Sequence, residues 1–389
     1  MTISTSTHLQ LTQWRHHLHA NPELGFEEQA TSDFVAARLA EMGLEVTRGI
    51  GGTGLVGTLR AGSGNRAIGL RADMDALAIQ EVEGRDHGSR SPGKMHACGH
   101  DGHTTMLLGA AQHLAAHPHF SGTVHFIFQP AEEHGRGALR MIEDGLFDQF
   151  PVEEIYGIHN MPGIPVGHLA TRTGPFMGAE DNFEIVVTGK GVHAARPHSG
   201  VDPIVTASAI VMGLQTIVSR RIDPTKPCVV SVTEILTNGT RNVIPSEVRI
   251  KGDCRSFLPE VSASIETEMR RLVEAIATGY SASATVSYTR EFVPTINAPE
   301  TTEAAVRVAR IILGPDAVDD DCSLRMGSED FAHMLDRVPG TFVNLGNGAA
   351  GTDGATPLHN PGYDFNDEII PLGVAYYAAL VADRLPPEA

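Results

Sequence analysis

The chain alternates short apolar runs with amphipathic stretches, and three of the runs lead into side chains that can bind metal. They are Ala67–Ala72 before Asp73 and Asp75, Val124–Phe128 before Glu132 and Glu133, and Ile155–Ile158 before His159 and Asn160. Strands that alternate with helices form a mostly parallel sheet with helices on both faces. Open sheets of this kind place their sites beyond the carboxyl ends of the strands. The sequence therefore predicts an α/β fold with a polar site at one edge of the sheet.

Length and composition limit the number of domains, the partners and the compartment that are expected. A chain of 389 residues is long for one hydrophobic core, so two domains are expected. The formal charge of -18 disfavours nucleic acid and anionic membrane as partners. No apolar run reaches the roughly 20 residues of a membrane span, and residues 1–10 contain no signal-peptide core. Four cysteines in so long a chain do not indicate a disulfide framework, so we expect a cytoplasmic protein.

The pattern changes in the middle of the chain, where strands and helices follow the order β-α-β-β-α-β. That order is typical of the ferredoxin-like split βαβ arrangement. We therefore predict an inserted domain at residues 181–293, within a larger catalytic domain made of residues 1–180 and 294–389. The predicted strands are Phe183–Thr188, Val229–Leu236, Val248–Asp253 and Ala284–Tyr288, with helices at 203–219 and 262–278.

The densest group of potential metal ligands is the segment His96–His103. Cys98 and His100 lie two residues apart with glycines around them, so we expect a loop and not a helix. Such a loop can hold one ion or bridge two, because glycine lets the backbone bend closely. The alternative is a glycine-rich turn with surface histidines and an inert buried cysteine. The segment by itself does not decide between the two.

The remaining candidates are ambiguous when each is taken alone. Glu132 and Glu133 follow a strand, and adjacent carboxylates point in different directions, so one can bind metal while the other faces the substrate water. Two solvated glutamates would be the more frequent outcome for such a pair. His159 and His359 taken singly fit satisfied core or loop histidines, and the two aspartates after the first apolar run fit simple capping residues.

Together, however, these motifs closely resemble the M20 metallopeptidase/amidohydrolase family. The resemblance is to the branch that contains hippurate hydrolase, N-acetyl-amino-acid deacetylases and plant auxin-conjugate hydrolases, and it runs in order from about Arg15 to Asp367. The segments that carry it are Leu70–Leu77, His96–His103, Gln129–Glu133, Gly189–His193 with Pro197–His198, Asn242–Pro245, Met326–Phe331 and Leu358–Phe365.

The resemblance implies a site with two divalent metal ions per subunit, zinc or manganese, with nickel or cobalt as alternatives. It makes Glu132 the general base and acid, and Asp75 a residue that orients a ligand. Cys98 would bridge the two ions. The implied metal ligands are Cys98, His100, Glu133, His159 and His359.

The resemblance also implies roles for the inserted domain, which would be a lid and a dimerisation domain. His193 and Asn242 match positions that reach the substrate carbonyl, and His193 would do so from the partner subunit of a homodimer, which could assemble further. Arg255 is a candidate cation for the substrate carboxylate. Two positions depart from the family pattern: Ala78 replaces a proline, and Met161 replaces a residue that is often aromatic.

The expected reaction is hydrolysis of the amide bond of N-acyl amino acids to a carboxylic acid and a free amino acid. Two alternatives stay open: an exopeptidase that cleaves dipeptides with the same metal pair, and a non-catalytic homologue that binds metal or ligand. Glu132 argues against the second alternative, because metal binding alone does not need it. A serine hydrolase is disfavoured, since Gly327–Glu329 lacks the nucleophile-elbow pattern.

Overall fold

The computed structural model describes residues 3–387, which form two compact units. The first unit comprises residues 3–174, 296–323 and 330–387, and the second comprises residues 175–295 and 324–329. The sequence pattern assigned residues 324–329 to the catalytic domain, but in the structure they lie in the second unit. The reason is a pair of backbone hydrogen bonds, because the Gly178 N–H donates to the carbonyls of Arg325 and Gly327, each at 2.9 Å.

The strands form a large eight-stranded sheet, a small four-stranded sheet and two two-stranded ribbons. In chain order they are β1 (Glu45–Arg48), β2 (Leu55–Ala61), β3 (Ala67–Asp73), β4 (Gly122–Gln129), β5 (Glu154–Gly163), β6 (Leu169–Ala170), β7 (Gly174–Met177), β8 (Ala179–Thr188), β9 (Val192–His193), β10 (Cys228–Thr237), β11 (Val243–Ile244), β12 (Glu247–Ser256), β13 (Ser283–Phe292), β14 (Thr295–Asn297), β15 (Val318–Asp319) and β16 (Gly340–Ala349).

The helices separate most of these strands along the chain. They are α1 (Thr5–Ala20), α2 (Gln29–Glu41), α3 (His100–Ala116), α4 (Gly137–Glu143), α5 (Leu146–Gln149), α6 (Pro203–Arg220), α7 (Pro259–Gly279), α8 (Pro299–Leu313), α9 (Ala332–Leu335) and α10 (Ile370–Arg384).

The large sheet belongs to the first unit and has the order β1-β2-β4-β3-β5-β16-β6-β15. Its central strands β4, β3, β5 and β16 are parallel to one another. Buried side chains from the sheet and from α1, α3, α8 and α10 share one apolar core. The predicted α/β fold with a mostly parallel sheet is therefore confirmed.

The second unit is a four-stranded antiparallel sheet, in the order β10-β12-β8-β13, with helices α6 and α7 packed on it. The chain order β8-α6-β10-β12-α7-β13 is the predicted ferredoxin-like arrangement, which is confirmed. Helix α6 is long and apolar enough to cross a membrane by length and composition, and 33% of it is buried. Its residues Ile210, Leu214 and Ile217 belong to the core of this unit.

Two local predictions about the ligand-bearing segments were wrong. The segment His96–His103 was expected to be a loop, but α3 begins at His100. Gly99 allows this sharp entry with a φ of 90°, and the carboxylate of Asp101 lies in the first turn, where a helix favours negative charge. His159 was expected after a strand, but it lies within β5, which continues to Gly163 because it pairs with β16 along this whole stretch.

Helix α1 is anchored by a buried network of charged side chains. His19 Nδ1 lies 2.8 Å from Asp101 Oδ2, and His19 Nε2 lies 3.2 Å from Glu81 Oε1. Arg15 donates two hydrogen bonds to Asp367, at 2.8 Å and 2.9 Å. Burial opposes the charged form of His19, but Asp101 and Glu81 outweigh it and raise the pKa of His19 to about 9. The imidazolium therefore pairs the first helix with the start of α3.

Replacing His19 by leucine removes the cation that Asp101 and Glu81 share and leaves Asp101 with Arg15 at 3.7 Å and Glu81 with Arg85 at 2.7 Å. We expect the free energy of unfolding to fall by about 3 kcal/mol near pH 6.5. The pKa of His19 is raised in the folded state, so its contribution is complete below the ordinary histidine pKa of about 6.5. It is lost as the pH rises through about 9. Urea denaturation at about pH 6.5 and about pH 10 should show a larger deficit at the lower pH.

The matched control is His125→Leu. Burial lowers the pKa of His125 to about 4, so this histidine is neutral at both pH values. The loss in the free energy of unfolding caused by His125→Leu should be the same at both pH values. An equal pH dependence in the two variants would contradict the assignment of the charge to His19.

Candidate metal centre

Five potential metal ligands from four chain segments meet in the first unit. They fall into two groups that share one residue, and within each group the ligand atoms all lie within 4.8 Å of one another. One group is Cys98, His100 and His159, and the other is Cys98, Glu133 and His359. The Sγ atom of Cys98 is therefore placed between two sets of nitrogen and oxygen ligands.

Distances inside the groups match the spacing of ligands around a common ion. Cys98 Sγ lies 3.4 Å from His159 Nε2, and His359 Nε2 lies 3.4 Å from Glu133 Oε1. Ligands bound tetrahedrally at 2.0–2.3 Å from one ion are about 3.4 Å apart. One pair in each group therefore already has that spacing.

Two buried atoms in these groups make no hydrogen bond of good geometry. They are His100 Nε2 and Glu133 Oε1, both inaccessible to solvent, and Glu133 Oε1 has an ion-pair contact with His359 Nε2 at 3.4 Å. The two buried atoms lie 3.9 Å apart, too far for a hydrogen bond, and each belongs to one of the two ligand groups. A buried polar atom without a hydrogen bond costs free energy, and a cation bound by each group would remove that cost. The residues present therefore fit a metal ion.

Asp75 contacts the His100 ring and the backbone of the loop that carries Glu133, and it orients both. Its Oδ1 lies 3.3 Å from His100 Nδ1 and accepts the Glu132 N–H at 3.0 Å, while its Oδ2 accepts the Glu133 N–H at 3.1 Å. With Nδ1 held by a carboxylate, His100 presents Nε2 to the centre. The resemblance had implied that Asp75 orients a ligand, and these contacts show how it can do so.

Backbone conformation places His359 at the rim. It has a φ of 60°, a left-handed conformation that is uncommon for a residue with a side chain. Its N–H donates to the Ala97 carbonyl at 2.8 Å, which ties the 359 loop to the segment before Cys98. The side chain of His359 is 54% exposed, whereas those of His100 and His159 are buried.

A second set of buried side chains lies behind the ligands, and no separate role for it was apparent from the sequence. His103 Nδ1 lies 2.6 Å from Asp73 Oδ1, and Asp73 also accepts from Arg71 at 2.7 Å. The Asn160 N–H donates to His103 Nε2 at 3.0 Å, so α3 is joined to β5 next to His159. From the sequence, Asp73, Asn160 and His103 were only individual candidates, and nothing indicated that they contact one another.

The carboxylates around the ligands favour positive charge in the site, and the pKa shifts of Cys98 and His100 reflect this. Burial raises the pKa of Cys98 well above its usual value, and Glu133 and Glu132 raise it further. Burial opposes the charged form of His100, but Asp73 and Asp75 outweigh it and raise its pKa to about 10. A divalent cation would favour the thiolate and the neutral imidazole instead.

The predicted residues of the inserted domain lie in the second unit. His193 pairs with Val243 across the β9–β11 ribbon, and the Ala194 N–H donates to the Asn242 carbonyl at 3.0 Å, so His193 and Asn242 are close neighbours. His193 and Asn242 are exposed within this unit.

Arg255 is held by neighbouring side chains of the second unit. It contacts Glu180 at 2.7 Å and Asp253 at 2.9 Å, and it donates to Ser328 Oγ at 2.8 Å. A substrate carboxylate would compete with these two carboxylates for Arg255. Of the two departures from the family pattern, Ala78 is exposed and Met161 is partly buried.

A sequence profile of the peptidase family M20/M25/M40 matches residues 69–383. The chain belongs to this family. The match spans both units and every ligand candidate described above. The predicted M20 membership is thus confirmed.

Individual relatives agree over almost the whole chain. The IAA-amino acid hydrolase ILR1-like 2 of Arabidopsis thaliana is 40% identical over 96% of this chain and 85% of its own length. The hippurate hydrolase of Campylobacter jejuni is 38% identical over 95% of each chain. The crystal structure of the Bacillus subtilis YXEP protein, a dinuclear metal binding peptidase from the M20 family, superposes with a TM-score of 0.86 at 32% identity, covering 99% of this chain and 100% of that one.

Because Cys98 belongs to both ligand groups, its loss should affect both ions. We expect the purified protein to bind up to two divalent ions per chain, and we expect Cys98→Ala to lose most of this metal. Elemental analysis after dialysis measures the stoichiometry. Cys322→Ala, which removes another buried thiol of the first unit, should keep both ions. Full metal content in Cys98→Ala would make Cys98 an ordinary packed thiol.

Proposed function

We propose that the protein hydrolyses the amide bond of N-acyl amino acids in a metal-dependent reaction, releasing a carboxylic acid and a free amino acid. The observation that carries the proposal is the position of Glu132, a buried carboxylate beside ligand groups that do not need it. The similarity to an IAA-amino acid hydrolase and a hippurate hydrolase supports the substrate class, since both names describe amide-linked amino acids.

The residues that would hold the ions are Cys98, His100, Glu133, His159 and His359, with Cys98 shared between the two. Mixed sulfur, nitrogen and oxygen ligands suit zinc or manganese, and nickel or cobalt can replace them. When bound, such an ion pair lowers the pKa of a water molecule and polarises the carbonyl of the amide.

Glu132 carries the proton transfers in this proposal. Its carboxylate lies within 4.8 Å of the ligand atoms of His100 and Glu133, and its backbone N–H is held by Asp75. The side chain can take a proton from the attacking water and deliver it to the nitrogen of the departing amino acid. Positioned acid–base catalysis of this kind is typically worth 10²- to 10⁴-fold in rate.

A substrate panel tests the proposal. The protein is stripped with a chelator, reloaded with Mn²⁺ or Zn²⁺, and assayed on N-benzoylglycine, N-acetyl amino acids and unblocked dipeptides. We expect turnover of the N-acyl amino acids only after metal is restored. Turnover of dipeptides alone would assign an exopeptidase, and full activity in metal-free protein would contradict the proposal.

Glu132→Gln is the matched variant for the same panel. It has almost the same shape as the wild type but cannot accept the proton, so kcat should fall by at least about 10²-fold. Its metal content should stay at the wild-type level, because Cys98, His100, Glu133, His159 and His359 are unchanged. A near-wild-type kcat would show that Glu132 is not the general base.

We also propose a homodimer formed through the second unit. Strand β10 is an edge of the small sheet and leaves Val229, Ile235 and Leu236 exposed. Helix α6 exposes Ile204, Val205 and Met212 and carries no charged residue before Arg220. An unpaired edge beside exposed apolar side chains is the kind of surface that another chain covers.

In this dimer His193 of one subunit would reach the site of the other. Mixing His193→Ala with Glu132→Gln under subunit exchange gives a heterodimer in which one site carries both changes and the other carries neither. We expect activity to return in the mixture, up to about half of that of the wild type per heterodimer. If exchange is verified by native mass spectrometry and no activity returns, His193 does not act across subunits.

The cellular location we propose is the cytoplasm. None of the four cysteines, all of which lie in the described residues, forms a disulfide, and three of them are buried, so the structure does not depend on a disulfide. This is the pattern of a protein that functions in a reducing compartment.

A further inference from the structure

Three consecutive backbone amides in the loop after β4 are held by two buried carboxylates. The Ala131 N–H donates to Glu28 Oε1 at 2.8 Å. The next two N–H groups, of Glu132 and Glu133, donate to the two oxygens of Asp75 at 3.0 Å and 3.1 Å. The loop that presents both glutamates is thus fixed from two sides, and the resemblance accounts for only one of them.

Ala131 needs this support because its backbone is strained. Its φ is 50°, in the left-handed region that costs about 1 kcal/mol or more for a residue with a Cβ. A strained conformation persists only where the surrounding contacts fix it. The Glu28 carboxylate supplies one such contact, directly at the residue before Glu132.

The segment Glu23–Glu28 is built to reach this loop. Gly25 lies so close to it that a Cβ there would sit 2.2 Å from His134 Nδ1 and 3.0 Å from the Ala131 Cα. The same segment also holds the Asp75 side of the site, because the Ala76 N–H donates to the Glu23 carbonyl at 2.8 Å. One short segment therefore links the two carboxylates that fix the loop.

Glu28 itself is held in a single orientation. It is fully buried, and its Oε2 accepts the Thr53 hydroxyl at 2.6 Å while its Oε1 accepts from Ala131. Glu28 belongs to none of the groups of potential metal ligands found among the described residues. Its role is to position the loop and not to bind metal.

We infer that Glu28 is a positioning residue for the site, which sets the places of Glu132 and Glu133 through the strained backbone of Ala131. This inference rests on the proposed function for its effect on turnover, but its effect on metal binding stands without it. Residues that orient a metal site from behind typically contribute 10- to 100-fold to metal affinity or activity.

Glu28→Met tests the inference, because methionine fills the same space and accepts no strong hydrogen bond from Ala131. We expect the affinity for one of the two ions to weaken by at least about 10-fold, measured by chelator competition. At saturating metal, kcat should fall about 10- to 100-fold with KM nearly unchanged. A protein that merely lost stability would show neither effect at a temperature where it is fully folded.

Glu28→Gln is the conservative variant and should rescue both properties. Its amide oxygen can still accept the Ala131 N–H, and its amide nitrogen can donate to Thr53. Thr58→Val removes a buried hydroxyl that lies 2.9 Å from His125 Nδ1, away from the loop, and controls for loss of stability. It should keep wild-type metal affinity and kcat.

Thr53→Val provides a second variant if Glu28→Met does not fold, and its metal affinity should fall in the same direction by a smaller factor. A wild-type metal affinity in Glu28→Met, or in a folded Thr53→Val when Glu28→Met is lost, would overturn the inference. An equal loss in Thr58→Val would overturn it as well. If the wild type binds two ions but turns over no amide, the proposed function fails, and the affinities still decide the role of Glu28.

Discussion

Buried charge must be compensated, and around Cys98 the side chains of the protein do not compensate one another fully. His100 Nε2 is inaccessible to solvent and makes no hydrogen bond, and Glu133 Oε1, 3.9 Å away, is equally shielded and is contacted by His359 Nε2 at 3.4 Å. Carboxylates and a thiol gathered in a site shielded from water are costly unless a cation joins them. The rest of the first unit can be understood as the scaffold that holds these atoms in place until the ions bind.

The parallel sheet brings the ligands together, and local hydrogen bonds and backbone conformations orient them. Strands β3, β4 and β5 carry Asp75, Glu133 and His159 to one edge, as expected for an open α/β sheet. The orientation of the ligand side chains depends on hydrogen bonds from backbone N–H groups to carboxylates. It also depends on a few residues with left-handed backbone conformation, such as Gly99 and His359. Preorganisation of this kind explains why the ligand atoms already lie about 3.4 Å apart in pairs.

The sequence could predict the sheet and the ferredoxin-like insertion, because each leaves a local pattern of apolar residues. The set of candidate ligands came from the resemblance to the M20 family, since His159 and His359 taken singly are ambiguous. The sequence could not predict that α3 begins at His100, since a short glycine-rich segment is also typical of a loop. The contact between Glu28 and Ala131 was equally hidden. These residues are 103 positions apart in the chain, and only the folded structure brings them together. Residues that position a site are harder to find than residues that bind, because many residue types can serve this purpose.

The central claim is that Cys98 is shared by two metal ions. Anomalous diffraction from crystals of the zinc- or manganese-loaded protein tests it most directly. The account predicts two peaks about 3.5–4 Å apart, both within bonding distance of the Cys98 sulfur. A single peak, or two peaks of which neither contacts Cys98, would contradict it.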